Sequence, residues 1–201
     1  QGRAIYGNIV KFVRFQVSTN IGAMQTVLGA SLLGLPTPFT AIQILWVNII
    51  MDGPPALALG VDRAEPDIMK QKPRPVAEPL LTRDRLLRIL GLGTVMAAGA
   101  IAVLVLAPAL FPESAADPAL PTTLAFTTFV FYQVFNLLNV RSDSASVFSR
   151  QTFTNRSIWV SLTAVIVLQI LVVNLEVLQG FFDTTPMSPA QWALTLLVGS
   201  S

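Results

Sequence analysis

The sequence contains no cysteine and no histidine. Disulfides, thiolate or imidazole metal sites, and Ser-His or Cys-His catalysis are therefore excluded at the outset. Any metal ion bound by this chain is held by oxygen. Charge is scarce as well. Only 12% of the 201 residues are charged against 53% hydrophobic, and the mean hydropathy of +0.64 lies far from the balance of a soluble domain. The opening residues QGRAIYGNIVKF have neither the short apolar core nor the small-residue cleavage site of a signal peptide, and no initiating methionine. They read as part of something longer. Repeats of solenoid length and low-complexity tracts are also missing.

What is present is apolar length. Runs of about 20 residues, enough for a helix to cross a bilayer, fall at 12–35, 40–60, 86–111, 119–140 and 157–180, and a sixth begins near 188 and stops short. The connectors LGLPTPFT, FPESAADPALP and FFDTTPMSP carry Pro and Gly where helices end. The expected fold is all-α, a polytopic membrane bundle of about six antiparallel helices. All thirteen basic residues fall on one side of it: Arg3, Lys11 and Arg14, seven from Arg63 to Arg88, and Arg141, Arg150 and Arg156. The positive-inside rule puts that side in the cytoplasm, while the other side carries acids such as Glu113, Asp117 and Asp183. The net charge of +2 and pI near 9.4 thus read as topology with membrane lipid as partner, and not as nucleic-acid binding. Asn155-Arg156-Ser157 matches the glycosylation pattern but falls on the cytoplasmic side, where that modification does not occur. The loop at about 62–85 mixes both signs and holds four prolines, so it is expected to be extended. It is either a solvated linker or a docking surface for a soluble domain.

Of the eleven acids, only Asp52 sits deep inside a span. A carboxylate at the bilayer centre costs about 2.5–3.5 kcal/mol on insertion scales and usually marks a pathway. Asn48 lies four residues earlier, one turn away on the same helix face. Pro54 and Pro55 have no N–H, so the carbonyls of Ile50 and Met51 lose their partners and the helix should break beside Asp52. Freed carbonyls are tolerated at membrane depth where they line a cavity, and transporters coordinate cations with such segments. Carboxylate, amide and carbonyl oxygens at one break suit Ca²⁺, or Na⁺ or Mn²⁺. A proline kink with a protonated Asp52 bonded to a neighbouring helix is the other reading of the same residues.

Two further polar groups could face the break: Ser18, Thr19 and Asn20 in the first span, and Gln133, Asn136 and Asn139 at spacings of three in the fourth. Membrane amides serve as interhelical glue as well as ligands. Gly93 and Ala97, four apart among alanines, read as close helix packing, and Asn174 and Glu176 as interfacial. A Ca²⁺ ion takes about six to eight oxygens. Asp52, Asn48, Asn20 and Gln133 supply about half of these and one negative charge, so a tight site needs a further acid from elsewhere.

QILWVNIIMDGPPALALGVD strongly resembles the sixth transmembrane helix of calcium-type P-type ATPases, in the form seen in secretory-pathway calcium pumps and their bacterial relatives. GRAIYGNIVKFVRFQVSTNIGA resembles the entry into the fifth helix of that family, and EPDIMKQKPRP the loop after the sixth. The similarity runs the length of the chain and weakens after about residue 145. The resemblance implies that residues 1–201 are the carboxy-terminal half of the transport domain, the fifth to tenth helices with the last one truncated. It implies that Asn20, Asn48 and Asp52 are ion ligands, that Gln133 contributes in some members, and that the missing acid is the glutamate of a PEGL-type break in the fourth helix, upstream of this chain.

Departures from the family pattern carry information. Two-ion calcium pumps have a glutamate at the position of Ala23, a threonine at Met51 and a glutamate at Gln133, so the resemblance implies one ion per cycle. Manganese-carrying members have a glutamine where this chain has Leu57. The DKTGT and TGE motifs and a nucleotide-binding domain are not in this chain. The resemblance therefore implies that ATP and Mg²⁺ bind actuator, phosphorylation and nucleotide domains elsewhere in the whole protein, and that their rotation on phosphorylation reshapes the helices around Asp52, with Lys11 and Arg14 on the transmitting stalk. A monovalent-cation or manganese pump is the runner-up. A passive channel or carrier, and a regulatory membrane subunit in which Asp52 is dispensable, are readings of a different class.

Overall fold

The computed structural model describes residues 2–60, 81–141 and 155–201, and among these every regular element is helical. The helices are α1 (Gly2–Leu32), α2 (Ala41–Asp52), α3 (Pro54–Gly60), α4 (Arg83–Leu110), α5 (Ala119–Arg141), α6 (Arg156–Asn174), α7 (Glu176–Phe182) and α8 (Pro189–Gly199), with a 3-10 turn at Pro112–Ala115 before α5. By length and composition, α4, α5 and α6 can each cross a membrane. The expected all-α membrane bundle is therefore present, with three of its crossings meeting that criterion. The others fall short for separate reasons. Helix α1 is long enough at 31 residues but carries Gln16, Ser18, Thr19, Asn20 and Gln25 through its uncharged part, α2 and α3 are two short pieces, and α8 has 11 residues. The loop expected at 62–85 lies outside the described residues up to position 80.

Helix ends follow their local chemistry. Past α1, Gly34 takes φ +68 and the Leu35 N–H reaches the Ala30 carbonyl at 2.9 Å, the left-handed closure that glycine makes without a Cβ penalty. Thr40 opens α2 with a capping box: its hydroxyl accepts from the Gln43 N–H at 3.3 Å and Gln43 Oε1 accepts from the Thr40 N–H at 3.1 Å. At the start of α8, Gln191 Oε1 accepts from the Ser188 N–H at 2.7 Å, and Asp117 accepts from the Ala119 N–H at 3.0 Å to open α5.

Helix α5 is the central element, buried almost continuously from Thr123 to Leu138. It runs antiparallel to α1, because Asn136 near its end meets Ser18 while Phe129, further back, meets Phe39 beyond the end of α1. Helices α1 and α4 cross closely. A Cβ on Gly93 would lie 3.1 Å from the backbone nitrogen of Gly22 and 2.8 Å from Ile21 Cγ2. The expected packing role of Gly93 and Ala97, both buried, is borne out.

The span expected at 157–180 is divided. Helix α6 stops at Asn174, Leu175 is extended at φ −93 and ψ 117, and α7 starts afresh. Side chains from beyond the break compete for the last carbonyls: Gln179 Nε2 donates to Val173 O at 2.7 Å and the Thr184 hydroxyl to Val172 O at 2.8 Å. Asn174 and Glu176 are both exposed beside this division.

Candidate ion-binding site

The helix break read from the proline pair is present. Helix α2 ends at Asp52, Gly53 stands at φ −84 and ψ −101, and α3 begins at Pro54. Position 53 is small for a reason, since a Cβ there would come 2.9 Å from the Ile49 carbonyl oxygen. Beyond the break, α3 is held from two sides. From α6, the single Ser161 hydroxyl proton is shared between Ser157 O at 2.8 Å in its own helix and Pro54 O at 3.2 Å, and just before α6 Asn155 Nδ2 donates to Ala58 O at 3.4 Å. From α1, Asn8 Nδ2 donates to Gly60 O at 3.1 Å.

Before the break, a different set of partners holds α2. Gln43 Nε2 donates to Phe182 O at 2.9 Å, and the Phe182 ring packs edge-on against Trp46 with centroids 4.8 Å apart. The Trp46 indole N–H donates to Gln169 Oε1 of α6 at 3.4 Å, and Gln169 Nε2 donates to Thr127 Oγ1 of α5 at 3.2 Å. The motif is thus clamped on both sides of a joint at Gly53.

These clamps fix which side of α2 stays open. At about 100° per residue, the buried Gln43, Val47 and Ile50 share one sector, and Ala41, Leu45 and Ile49 form the exposed one. Asn48 is half-buried at the edge of that open sector, and the same register carries position 52 into it. The side chains of Met51 and Asp52 lie outside the described residues. On α1, Asn20 is exposed in line with Met24 and Leu28, about 200° round from Ser18.

Ser18 faces the other way. It is fully buried, donates to Phe15 O at 2.9 Å and accepts from Asn136 Nδ2 of α5 at 2.8 Å. One turn from Asn136, Gln133 is completely buried, and among the described residues neither end of its amide has a hydrogen-bond partner. The Asn136 carbonyl oxygen and the Thr19 hydroxyl are in the same condition. Buried polar atoms are nearly always satisfied, so these mark a place where water or a ligand belongs.

The structure therefore places Asn20 and Asn48 on open sectors of α1 and α2 and Gln133 in the interior, on the side of α1 opposite Asn20. The expectation that Gln133, Asn136 and Asn139 lie down one face needs correction. A spacing of three falls about 60° short of a full turn at each step, and by Asn139 the side chain has rotated out to an exposed position. Ala23 is half-buried, and Leu57 is exposed on α3. Among the described residues no group of three or more Asp or Glu side chains gathers. The clamp residues were not singled out in the sequence. Thr40 and Gln43 carried the T-x-x-Q signature of a capping box, and Gln169 the signal of a lone amide in an apolar run.

Residues 36–201 match the family model described as "Cation transporting ATPase, C-terminus". The chain belongs to the cation-transporting ATPase family. Within it, the chain is 37% identical over 201 residues to calcium-transporting ATPase 1 of Yarrowia lipolytica, covering all of this chain and 21% of the relative. It is 39% identical over 199 residues to calcium-transporting ATPase type 2C member 2 of Rattus norvegicus, covering 99% of this chain and 21% of the relative. A bacterial member, the calcium-transporting ATPase of Bacillus subtilis, is 37% identical over 196 residues, 98% of this chain and 22% of the relative. The chain thus spans about a fifth of the length of these relatives. The segment of the cation-transporting ATPase represented here is the membrane-embedded carboxy-terminal one.

Proposed function

We propose that this chain is the carboxy-terminal half of the transport domain of an ATP-driven pump, that it supplies about six membrane helices, the last one truncated, with its basic loops in the cytoplasm, and that the pump moves Ca²⁺ one ion per cycle. Asp52 and Asn48 are the principal ligands, and Asn20 and Gln133 are further oxygen donors, two groups on opposite sides of α1 here that the site completed in the whole protein has to bring together. The observation that carries this reading is the helix break at Gly53 immediately after Asp52 and one turn after Asn48, with oxygen the only metal donor available in a chain without Cys or His.

The open sectors holding Asn20 and Asn48 accord with a site completed by helices outside this chain, which bring a second acid. A Ca²⁺ ion needs about six to eight oxygens, more than these four side chains and two freed carbonyls supply with adequate charge. The names of the relatives support Ca²⁺ over monovalent ions. Ala23 and Gln133, neutral at their positions, support a single ion. ATP and Mg²⁺ act in cytoplasmic actuator, phosphorylation and nucleotide domains of the same protein. In the whole protein, Asp52→Asn is expected to abolish Ca²⁺-dependent phosphoenzyme formation from ATP while membrane insertion survives. Wild-type calcium dependence in that variant overturns the site.

A further inference from the structure

Gln169 is 1% exposed, in the second half of α6, and its side chain reaches two other helices at once. Its carbonyl accepts from the Trp46 indole N–H of α2 at 3.4 Å, and its amide donates to Thr127 Oγ1 of α5 at 3.2 Å. Trp46 lies two residues before Asn48 and about 200° round the helix from it. Whatever fixes the azimuth of Trp46 therefore fixes the azimuth of Asn48 and of position 52 on the far side of the same short helix.

The relay is suited to this. Helix α2 has 12 residues and ends at a joint, so its own backbone does little to stop it turning about its axis. In an apolar surrounding the indole N–H has no water as a substitute partner, which gives the bond a direction as well as an energy. The Phe182 ring closes on the indole edge-on, and that contact alone tolerates sliding. The bond to Gln169 does not, because Gln169 is itself held by Thr127 on the central helix.

We propose that Gln169 is a positioning residue for ion binding: it couples α2 to α5 through Trp46 and Thr127, so that the amide and carboxylate of the break are held toward the ion before it arrives. This assignment rests on the reading of Asn48 and Asp52 as ligands.

The test uses the full-length protein in membranes, measuring phosphoenzyme formed from ATP as a function of free Ca²⁺. Gln169→Leu keeps the volume and loses both bonds. It is expected to raise the half-maximal Ca²⁺ concentration about 3- to 10-fold, the value of one net hydrogen bond, and to keep the maximal phosphoenzyme level. Gln169→Glu, which as a neutral acid both accepts and donates, is expected to restore the wild-type midpoint. Trp46→Phe cuts the same bond from the other end within the same aromatic socket, and is expected to match Gln169→Leu, with the double variant no worse than either. An unchanged midpoint in both Gln169→Leu and Trp46→Phe overturns the assignment, as does a shift in the double variant equal to the product of the two. If Gln169→Leu fails to accumulate, Trp46→Phe and Gln169→Glu decide by the same criteria. Asp52→Asn run alongside separates the two claims. If it keeps wild-type calcium dependence, the ligand reading itself fails; if it abolishes the signal while the relay variants do nothing, only the positioning role falls.

Discussion

Two glycines on α4, two residues apart, are expected to respond to alanine with opposite signs. Gly91 is exposed and a Cβ there meets nothing within 4 Å, whereas a Cβ on Gly93 would press on Ile21 Cγ2 at 2.8 Å and on the Gly22 backbone nitrogen at 3.1 Å. Replacing glycine with alanine inside a helix gains about 0.5–1 kcal/mol, and at Gly91 nothing opposes that gain. At Gly93 the extra methyl meets a β-branched side chain with essentially one helical rotamer and a backbone atom that cannot withdraw. Overpacking of this kind costs about 1–3 kcal/mol, leaving a net loss of up to about 2.5 kcal/mol. At about 2–4 °C per kcal/mol for a domain of this size, Gly93→Ala lowers the thermal midpoint by up to about 10 °C and Gly91→Ala raises it by about 1–4 °C. The absence of cysteine from this segment supplies the assay. A cysteine introduced at Ala125, fully buried on α5, reports unfolding of this bundle to a thiol-reactive dye in the detergent-solubilised full-length protein, read against the same protein without it. If Gly93→Ala melts at or above Gly91→Ala, the close crossing of α1 and α4 is wrong.

Three further outcomes follow from the site. Pro54→Ala with Pro55→Ala returns N–H groups to the Ile50 and Met51 carbonyls; α2 should then run on into α3, and Ca²⁺-dependent phosphoenzyme should be lost at unchanged expression, whereas retained calcium affinity would remove the break from the mechanism. Ser18→Ala leaves the Asn136 amide buried without its partner and should destabilise by about 1–3 kcal/mol in the same thiol assay. Gln133→Met removes an amide already unpartnered among the described residues, so it should be neutral or stabilising in that assay by up to about 1 kcal/mol while weakening calcium dependence; a large loss of stability would show that Gln133 has a structural partner instead.

The features legible in the sequence were those set by covalent chemistry. Two prolines without N–H groups broke α2 where they had to, Gly34 closed α1, and the four-residue step from Asn48 to position 52 followed from helical geometry alone. What escaped was competition. The run from Ile158 to Gly180 is apolar without a proline, and nothing in its pattern told that Gln179 and Thr184 would fold back onto the carbonyls of Val173 and Val172 and stop α6 at Asn174. The even spacing of Gln133, Asn136 and Asn139 suggested one face because the drift of a three-residue step was not followed through. Which side of each helix is open could not be read either, since Asn20 and Asn48 are polar residues whose exposure depends on what lies opposite them. Composition places a helix in the membrane, and its neighbours decide its azimuth.

The crossing of α1 over α4 has a mechanical consequence. Gly2 lies twenty residues before Gly22, about 30 Å along the axis, while Asn20 lies two residues before it, about 3 Å away. If α1 tilts about the point where Gly22 and Gly93 touch, its far end and the turn carrying Asn20 move in the ratio of those distances. A tilt of about 10° sweeps the end near Gly2 through about 5 Å and shifts Asn20 by about 0.5 Å. Such a reduction gear turns a coarse push at one end of a 31-residue helix into a displacement of a fraction of an ångström at Asn20.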